Sequence, residues 1–320
     1  MRRELFSLSI ALAFTGDLYT QSLFAQDGAN AAKPVEPSSA KMSTSDLLRR
    51  FENAEYAWQQ AQIADVLVIA GDRSILPRIA QLTRVSDRKR RCNAAFVLDG
   101  LGDARGMAIL VAELRDTRPR AVNPEEKRGN GGAERQAHSD RHHCAHLLGR
   151  IGRDEAIPTL IELLKDEELC DVAASSLGNL GVSDAMDDLV VMADAFPQHR
   201  DSAASALAKL GDARGLEMLS EIVTSNLHES VRLRATDALR ESGSLKQQPV
   251  LLQALADPHP NVRVAAVRAL NALGDARSLP GLRIASQDES VPPWHAPTTV
   301  SAEAIAAIEA IERRDQQLLP

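Results

Sequence analysis

Four of the eight histidines fall within nine residues, in the run Gln136-Ala137-His138-Ser139-Asp140-Arg141-His142-His143-Cys144-Ala145-His146. With a helix begun by His138, the side chains of His138, His142 and His146 recur every four residues and form one stripe, and imidazoles at i and i+4 can bind a transition metal. These three are the candidate metal ligands, with Zn²⁺ or another transition metal as the ion. The alternative is a solvated, His-rich surface, because no acidic ligand or second cysteine stands at metal-site spacing. Cys92, Cys144 and Cys170 are too few and too irregular for a disulfide scaffold or a zinc ribbon, and an odd count leaves at least one thiol unpaired.

Other chemistry is absent by motif. The chain has no Cys-x-x-Cys-His for covalent haem, no Gly-x-Ser-x-Gly elbow, no Walker loop and no His-Glu-x-x-His helix. No catalytic residue and no organic cofactor is expected. The net charge of -7 argues against nucleic acid as a partner, since tracking phosphates needs concentrated Lys and Arg. A local basic run, Arg84, Arg88, Lys89, Arg90 and Arg91 joined by Arg115, Arg118 and Arg120, is either a positive edge for an anionic partner or a solvated turn balanced by Asp87, Asp116, Glu125 and Glu126.

The elements that carry these residues follow from composition and period. A chain of 320 residues with 44% hydrophobic but only 3% aromatic residues suits closely packed helices better than a β-sandwich. A glycine recurs at Gly71, Gly102, Gly152, Gly181, Gly211, Gly243 and Gly274, with spacings of 31, 50, 29, 30, 32 and 31. The long spacing marks an insertion of about twenty residues rather than a lost period. Eight residues after each glycine stands Ile79, Leu110, Leu160, Leu189, Leu219, Leu251 or Leu282. Before each glycine the apolar positions step by three and four, best seen in Val231 to Gly243 and Val262 to Gly274, so an inner helix ends there in a left-handed glycine cap and Asp opens the outer helix.

The units Ala94-Ala95 to Arg105, Ala203-Ala204 to Arg214 and Ala265-Ala266 to Arg277, with Leu-Gly-Asp-Ala-Arg at their ends, resemble HEAT-like repeats of the type named after phycobilisome lyases. The resemblance spans about Asp46 to Arg313 and implies an all-α, right-handed α-solenoid (superhelix) of about seven helix pairs. Val300 to Glu312, with Ala304, Ala307, Ile308 and Ile311 in register, is the expected C-terminal capping helix. The resemblance also implies that Arg91, Arg141, Arg200, Arg232 and Arg263 bond between repeats, and that Asp72, Asp103, Asp212 and Asp275 cap helices. It further raises two enzyme readings. Bilin-lyase-like chromophore attachment sits poorly with export. Deoxyhypusine-hydroxylase-like chemistry needs recurring His-Glu pairs for two irons, and only His228-Glu229 occurs.

The remaining segments depart from the repeat. Arg2 and Arg3, the apolar Leu5 to Phe14 and a cleavage end at Ser22 to Ala25 give residues 1–25 as a signal peptide, with residues 26–44 as a flexible linker. The solenoid is then 45–320, interrupted by insertions near 116–137 and 287–299, the first rich in Gly and Pro and expected as a mobile surface loop. No apolar run after the leader is long enough to span a membrane. Localisation is therefore expected to be exported, periplasmic or secreted.

Aligned on the glycines, His142, His143 and His146 match Val264, Ala265 and Arg268, outside the Ala-Leu packing face, and Cys144 matches Ala266 as a buried, Ala-sized filler. Cys92 shares a row with His142, and Phe96 shares one with His146. Cys92, Phe96, His142 and His146 are thus expected as an accessible partner-binding patch on the concave face. The expected function is a non-enzymatic scaffold that binds a protein or peptide there, with a metal-binding protein or metal-dependent enzyme at the histidines as the alternative.

Overall fold

The computed structural model describes residues 42–118, 133–293 and 298–318, and all regular structure in them is helical. The expected leader and most of the linker lie outside the described residues, as do 119–132 of the first insertion and 294–297 of the second. Sixteen α-helices run in order among the described residues: α1 Thr44–Asn53, α2 Ala57–Ala70, α3 Leu76–Leu82, α4 Arg88–Gly100, α5 Arg105–Arg115, α6 Ala133–Ile151, α7 Ile157–Leu163, α8 Cys170–Leu180, α9 Met186–Ala195, α10 Arg200–Lys209, α11 Ala213–Val223, α12 Glu229–Glu241, α13 Gln248–Ala254, α14 Pro260–Leu273, α15 Leu279–Ala285 and α16 Val300–Leu318. From α2 to α15 they form seven pairs, with α1 and α16 at the two ends. The fold is an α-solenoid.

Local chemistry sets each pair. Six of the seven recurring glycines have positive φ, from 65° to 87°, the left-handed conformation that ends the inner helix. Gly274 departs from the expectation: its φ is -73° and ψ 159°, an extended conformation. Space is the reason glycine still stands there, because a Cβ would lie 2.4 Å from the Leu270 carbonyl oxygen and 2.5 Å from Ser278 Oγ. The Asp after the glycine then caps the next helix, accepting from Ser74 N at 2.9 Å (Asp72), Arg105 N at 3.1 Å (Asp103), Arg214 N at 2.9 Å (Asp212) and Arg277 N at 2.9 Å (Asp275). Four outer helices, α3, α7, α13 and α15, follow a short 3₁₀ turn and carry Pro in their first turn, where its missing N–H costs nothing.

Packing confirms the register. Ile79, Leu110, Leu160, Leu189, Leu219, Leu251 and Leu282 are each 0% exposed. Each inner helix packs on the outer helix of the preceding pair and on the next inner helix, from α2 through α4, α6, α8, α10, α12 and α14 to α16, while contacts between successive outer helices are sparse. The inner helices therefore line the closely packed, concave side, and α10 joins the two halves of the core. The arginine row acts as struts: Arg91 forks onto Glu113 at 2.8 and 2.9 Å, Arg232 onto Asp257 at 2.7 and 2.9 Å, and Arg141, Arg200 and Arg263 reach Asp166, Glu221 and Asp288 at 2.5, 2.7 and 2.7 Å. Each ties the start of an inner helix to the far end of its pair.

At the C-terminal end, α16 buries Val300, Ala304, Ala307 and Ile311 against the last pair and caps the core. The second insertion leaves and returns at nearly one point, since Val300 N donates to the Ser290 carbonyl at 3.1 Å and Ser301 N to the Asp288 carbonyl at 2.8 Å. The first insertion is shorter than expected, because α6 starts at Ala133 and Ala133 to Ala137 are helical. Its Ala-Glu-Arg-Gln-Ala sequence consists of strong helix formers.

Candidate functional site on the inner helices

The early start of α6 puts His138, His142 and His146 on a single continuous helix. The His138 and His142 rings meet edge-on, with centroids 6.2 Å apart and planes at 63°. His138, 41% exposed, places Nδ1 3.6 Å from Glu168 Oε2, and Arg141 already donates to that carboxylate at 3.2 Å. His142 is mostly buried, with Nε2 4.0 Å from Asp171 Oδ1 on α8. Burial holds the His142 imidazole below its ordinary value, Asp171 opposes this, and His138, His146 and Lys89 reinforce it. The stripe makes two separate His–carboxylate approaches rather than one convergent set. Among the described residues, no group of three or more His, Cys, Asp or Glu side chains is arranged to hold a metal ion.

The accessibility expected of Cys92 and Phe96 needs correction. Cys92 is 0% exposed and joined to Cys144, also 0% exposed, in a disulfide between α4 and α6 with Cα atoms 6.0 Å apart. The reason lies in the closeness of the inner helices: the row of Cys92 falls in the seam between neighbours, where Val264 of the same row is equally buried. Cys144 is buried as its alignment with Ala266 implied, but as half of a disulfide rather than a thiol. Phe96 is 6% exposed and covered by the guanidinium of Arg150, whose carbon lies 4.9 Å from the ring centroid. Arg150 is held from its other side by Asp65 of α2, so one side chain spans three inner helices. Of the four expected contact residues, His142 and His146 keep partial exposure.

His143, expected to be accessible outside the packing face, lies in the seam instead. Its Nε2–H donates to Asn93 Oδ1 at 2.8 Å, Asn93 Nδ2 donates to Gln60 Oε1 at 3.1 Å and the Ala57 carbonyl at 2.9 Å, and Gln60 Nε2 donates to the Phe51 carbonyl at 3.1 Å. This is a directed chain through the seams of α2, α4 and α6. Burial drives the His143 imidazole down to about 3, with Lys89, His146 and His142 adding to the shift, so the ring is neutral. The signal for both features was positional. Asn93 and His143 stand nine residues before their glycines, and Cys92 and Cys144 stand ten and eight before theirs, positions that adjoin across one seam.

The basic run is largely consumed internally. Arg88, 1% exposed in its side chain, donates to Glu113 Oε2 at 2.7 Å and to the Asp116 carbonyl at 2.8 Å, while Arg91 takes the other side of Glu113. Burial pushes the Glu113 carboxyl up, but Arg91 and Arg88 outweigh it and leave the group below its ordinary range. Arg90 donates to the Glu55 carbonyl at 2.7 Å and Arg118 to Asp116 at 2.9 Å. Arg120 lies outside the described residues.

Comparison with known families agrees with this geometry. The family described as HEAT repeats matches residues 225–294, and the one described as PBS lyase HEAT-like repeat matches residues 140–166, which hold most of the His cluster. The chain is a HEAT-like repeat protein. Deoxyhypusine hydroxylase of Schizosaccharomyces pombe (strain 972 / ATCC 24843) is 28% identical over 168 residues, 48% of this chain and 50% of that protein. This HEAT-like chain thus spans about half the length of that relative. Among solved structures, the complex of CpcE and CpcF of phycocyanin lyase from Nostoc sp. PCC7120 aligns at 14% identity with a TM-score of 0.45, over 88% of this chain and 99% of that one. Human deoxyhypusine hydroxylase in complex with glycerol aligns at 18% identity with a TM-score of 0.32, over 84% and 97%. In the present chain His228 caps α12, with Nε2 3.1 Å from Glu229 Oε2 and its ring largely in solvent.

Proposed function

We propose that this HEAT-like protein is a non-enzymatic scaffold that grips a protein or peptide partner on the concave face of its inner helices, and that it works after export. One observation carries the reading. The recurring Arg and Asp positions are used up in struts and caps, whereas His138, His142 and His146 lie along one inner helix, beside Asp171 of the next and Glu168 in the turn before it, and the regular repeat needs none of them. A solenoid of this kind presents such a face as one long surface. Among the described residues no helix is long and apolar enough to cross a membrane. Export is supported by the leader-like first 25 residues and by a disulfide, a bond that persists in oxidising compartments.

The test is site-specific photo-crosslinking in cells that export the full chain. A photoreactive residue at His138 or Ser175 on the inner helices should give a discrete protein adduct, and one at Val191 on the outer helix α9, 64% exposed, should give none. Equal labelling from both faces, or none from the inner one, would remove the reading. The metal-dependent alternative predicts instead stoichiometric Zn²⁺ uptake that is lost in the His138/His142/His146→Ala variant.

A further inference from the structure

The Cys92–Cys144 disulfide occurs at one seam, and that seam is the one the first insertion interrupts. The bonded residues are 52 apart in sequence, so the loop they close contains α5 and the whole insertion. At the regular seams, the row of Cys144 holds Ala173, Ala203, Ala235 and Ala266, all buried without a partner to bond. The bond also lies directly beneath the candidate face. His142 and His143 precede Cys144, His146 follows it within one turn, and Phe96 lies one turn beyond Cys92. Fastening α4 to α6 at this point fixes both the Asn93–His143 hydrogen bond and the orientation of the His stripe.

We infer that oxidation of Cys92 and Cys144 is a maturation step that locks this face in place, so that the face is complete only in protein folded in an oxidising compartment. The thiolate of one cysteine attacks a disulfide of a small-molecule or protein oxidant, forming a mixed disulfide and releasing one thiol. The second cysteine's thiolate then attacks that mixed bond, giving Cys92–Cys144 and a second released thiol. Two electrons pass to the oxidant, and the two cysteine protons end on its thiols. The exchange takes place before α4 and α6 close, since both sulfurs are inaccessible afterwards. The same burial makes the bond a lock rather than a reversible switch, because a reductant reaches it only when the seam opens. Cys170 stands apart on α8, fully buried, its Sγ 3.6 Å from the Glu167 carbonyl and its thiol pushed up to about 11 by burial and by Asp171.

Only the consequence for partner binding rests on the proposed scaffold function; the lock itself is tested without a partner. Full-length protein is prepared from an oxidising and from a reducing compartment, then denatured and alkylated without reductant. The oxidised form should take one alkyl group, at Cys170, and yield a Cys92–Cys144 cross-linked peptide, while the reduced form takes three. The oxidised form should unfold at higher urea, and its reduction by a phosphine should accelerate steeply as urea opens the seam. Cys92→Ala/Cys144→Ala, which places the common alanine in the second row, should give one urea midpoint whatever the compartment. If that variant does not fold, the two wild-type forms still decide. Three alkylated thiols in the oxidised preparation, a cross-link that includes Cys170, or equal midpoints for the two wild-type forms would overturn the inference. A verified lock in a protein that gives no photo-adduct would remove the scaffold reading alone.

Discussion

Between α4 and α6 the seam holds a disulfide and the Asn93–His143 hydrogen bond, and Arg150 lies across the rim. Between α14 and α16, the last seam of the same ladder, the buried surface is Val264, Val267, Val300, Ala304, Ala307 and Ile311. Apolar burial is non-directional, so the buried part of the second seam needs only area and shape, which the repeat supplies everywhere, and its ion pair, Arg268 donating to Glu303 at 2.7 Å, stands at the partly exposed rim. The first seam follows an insertion, and its hydrogen bonds and covalent bond accept one alignment of the helices alone. The contrast teaches that this solenoid obtains its stability from the repeat and its local precision from departures from it.

The largest effect should come where the two regions are alike. Leu219→Ala removes a fully buried side chain from the leucine row and should destabilise by about 2 to 5 kcal/mol in urea unfolding. A cost below about 0.5 kcal/mol would place Leu219 outside the shared core and break the common register.

A smaller and more selective effect belongs to the polar seam. His143→Ala leaves the buried Asn93 Oδ1 without its donor and should cost about 1 to 3 kcal/mol at neutral pH. The wild type should also lose stability on acidification. The folded His143 titrates near 3 and the unfolded ring near its ordinary value of 6.5, so between those values the unfolded chain binds the extra proton. The loss should approach about 1.4 kcal/mol per pH unit below pH 6 and level off near pH 3. His143→Gln should flatten that slope. An unchanged slope would deny the ring its buried, neutral state.

The smallest effect is expected at the site itself. His142→Ala, at a mostly buried position that donates to no strut in the array, should cost about 1 kcal/mol in the metal-free protein, read from its thermal midpoint. A loss of several kcal/mol would make His142 part of the seam and narrow the candidate face to His138 and His146.

By itself the sequence determined the solenoid: the glycine period, the aliphatic residue eight positions later, the Arg and Asp rows and the capping helix all appear in the structure in the register read from them. These features are local or repeat at a fixed interval, so periodicity exposes them without knowledge of which helices touch. It also located the His stripe, because an i, i+4 spacing on one helix is a local fact. The tertiary structure alone decided what lies across a seam. Whether Cys92 faces solvent or a second cysteine, whether Phe96 is open or covered by Arg150, and whether His143 is free or bonded to Asn93 depend on the offset between neighbouring inner helices. That offset is set by close packing over several repeats. Even Gly274 shows the limit: the residue was legible, but its extended backbone, and the nearness of Leu270 and Ser278 that leaves no room for a Cβ, are seen only in the folded chain.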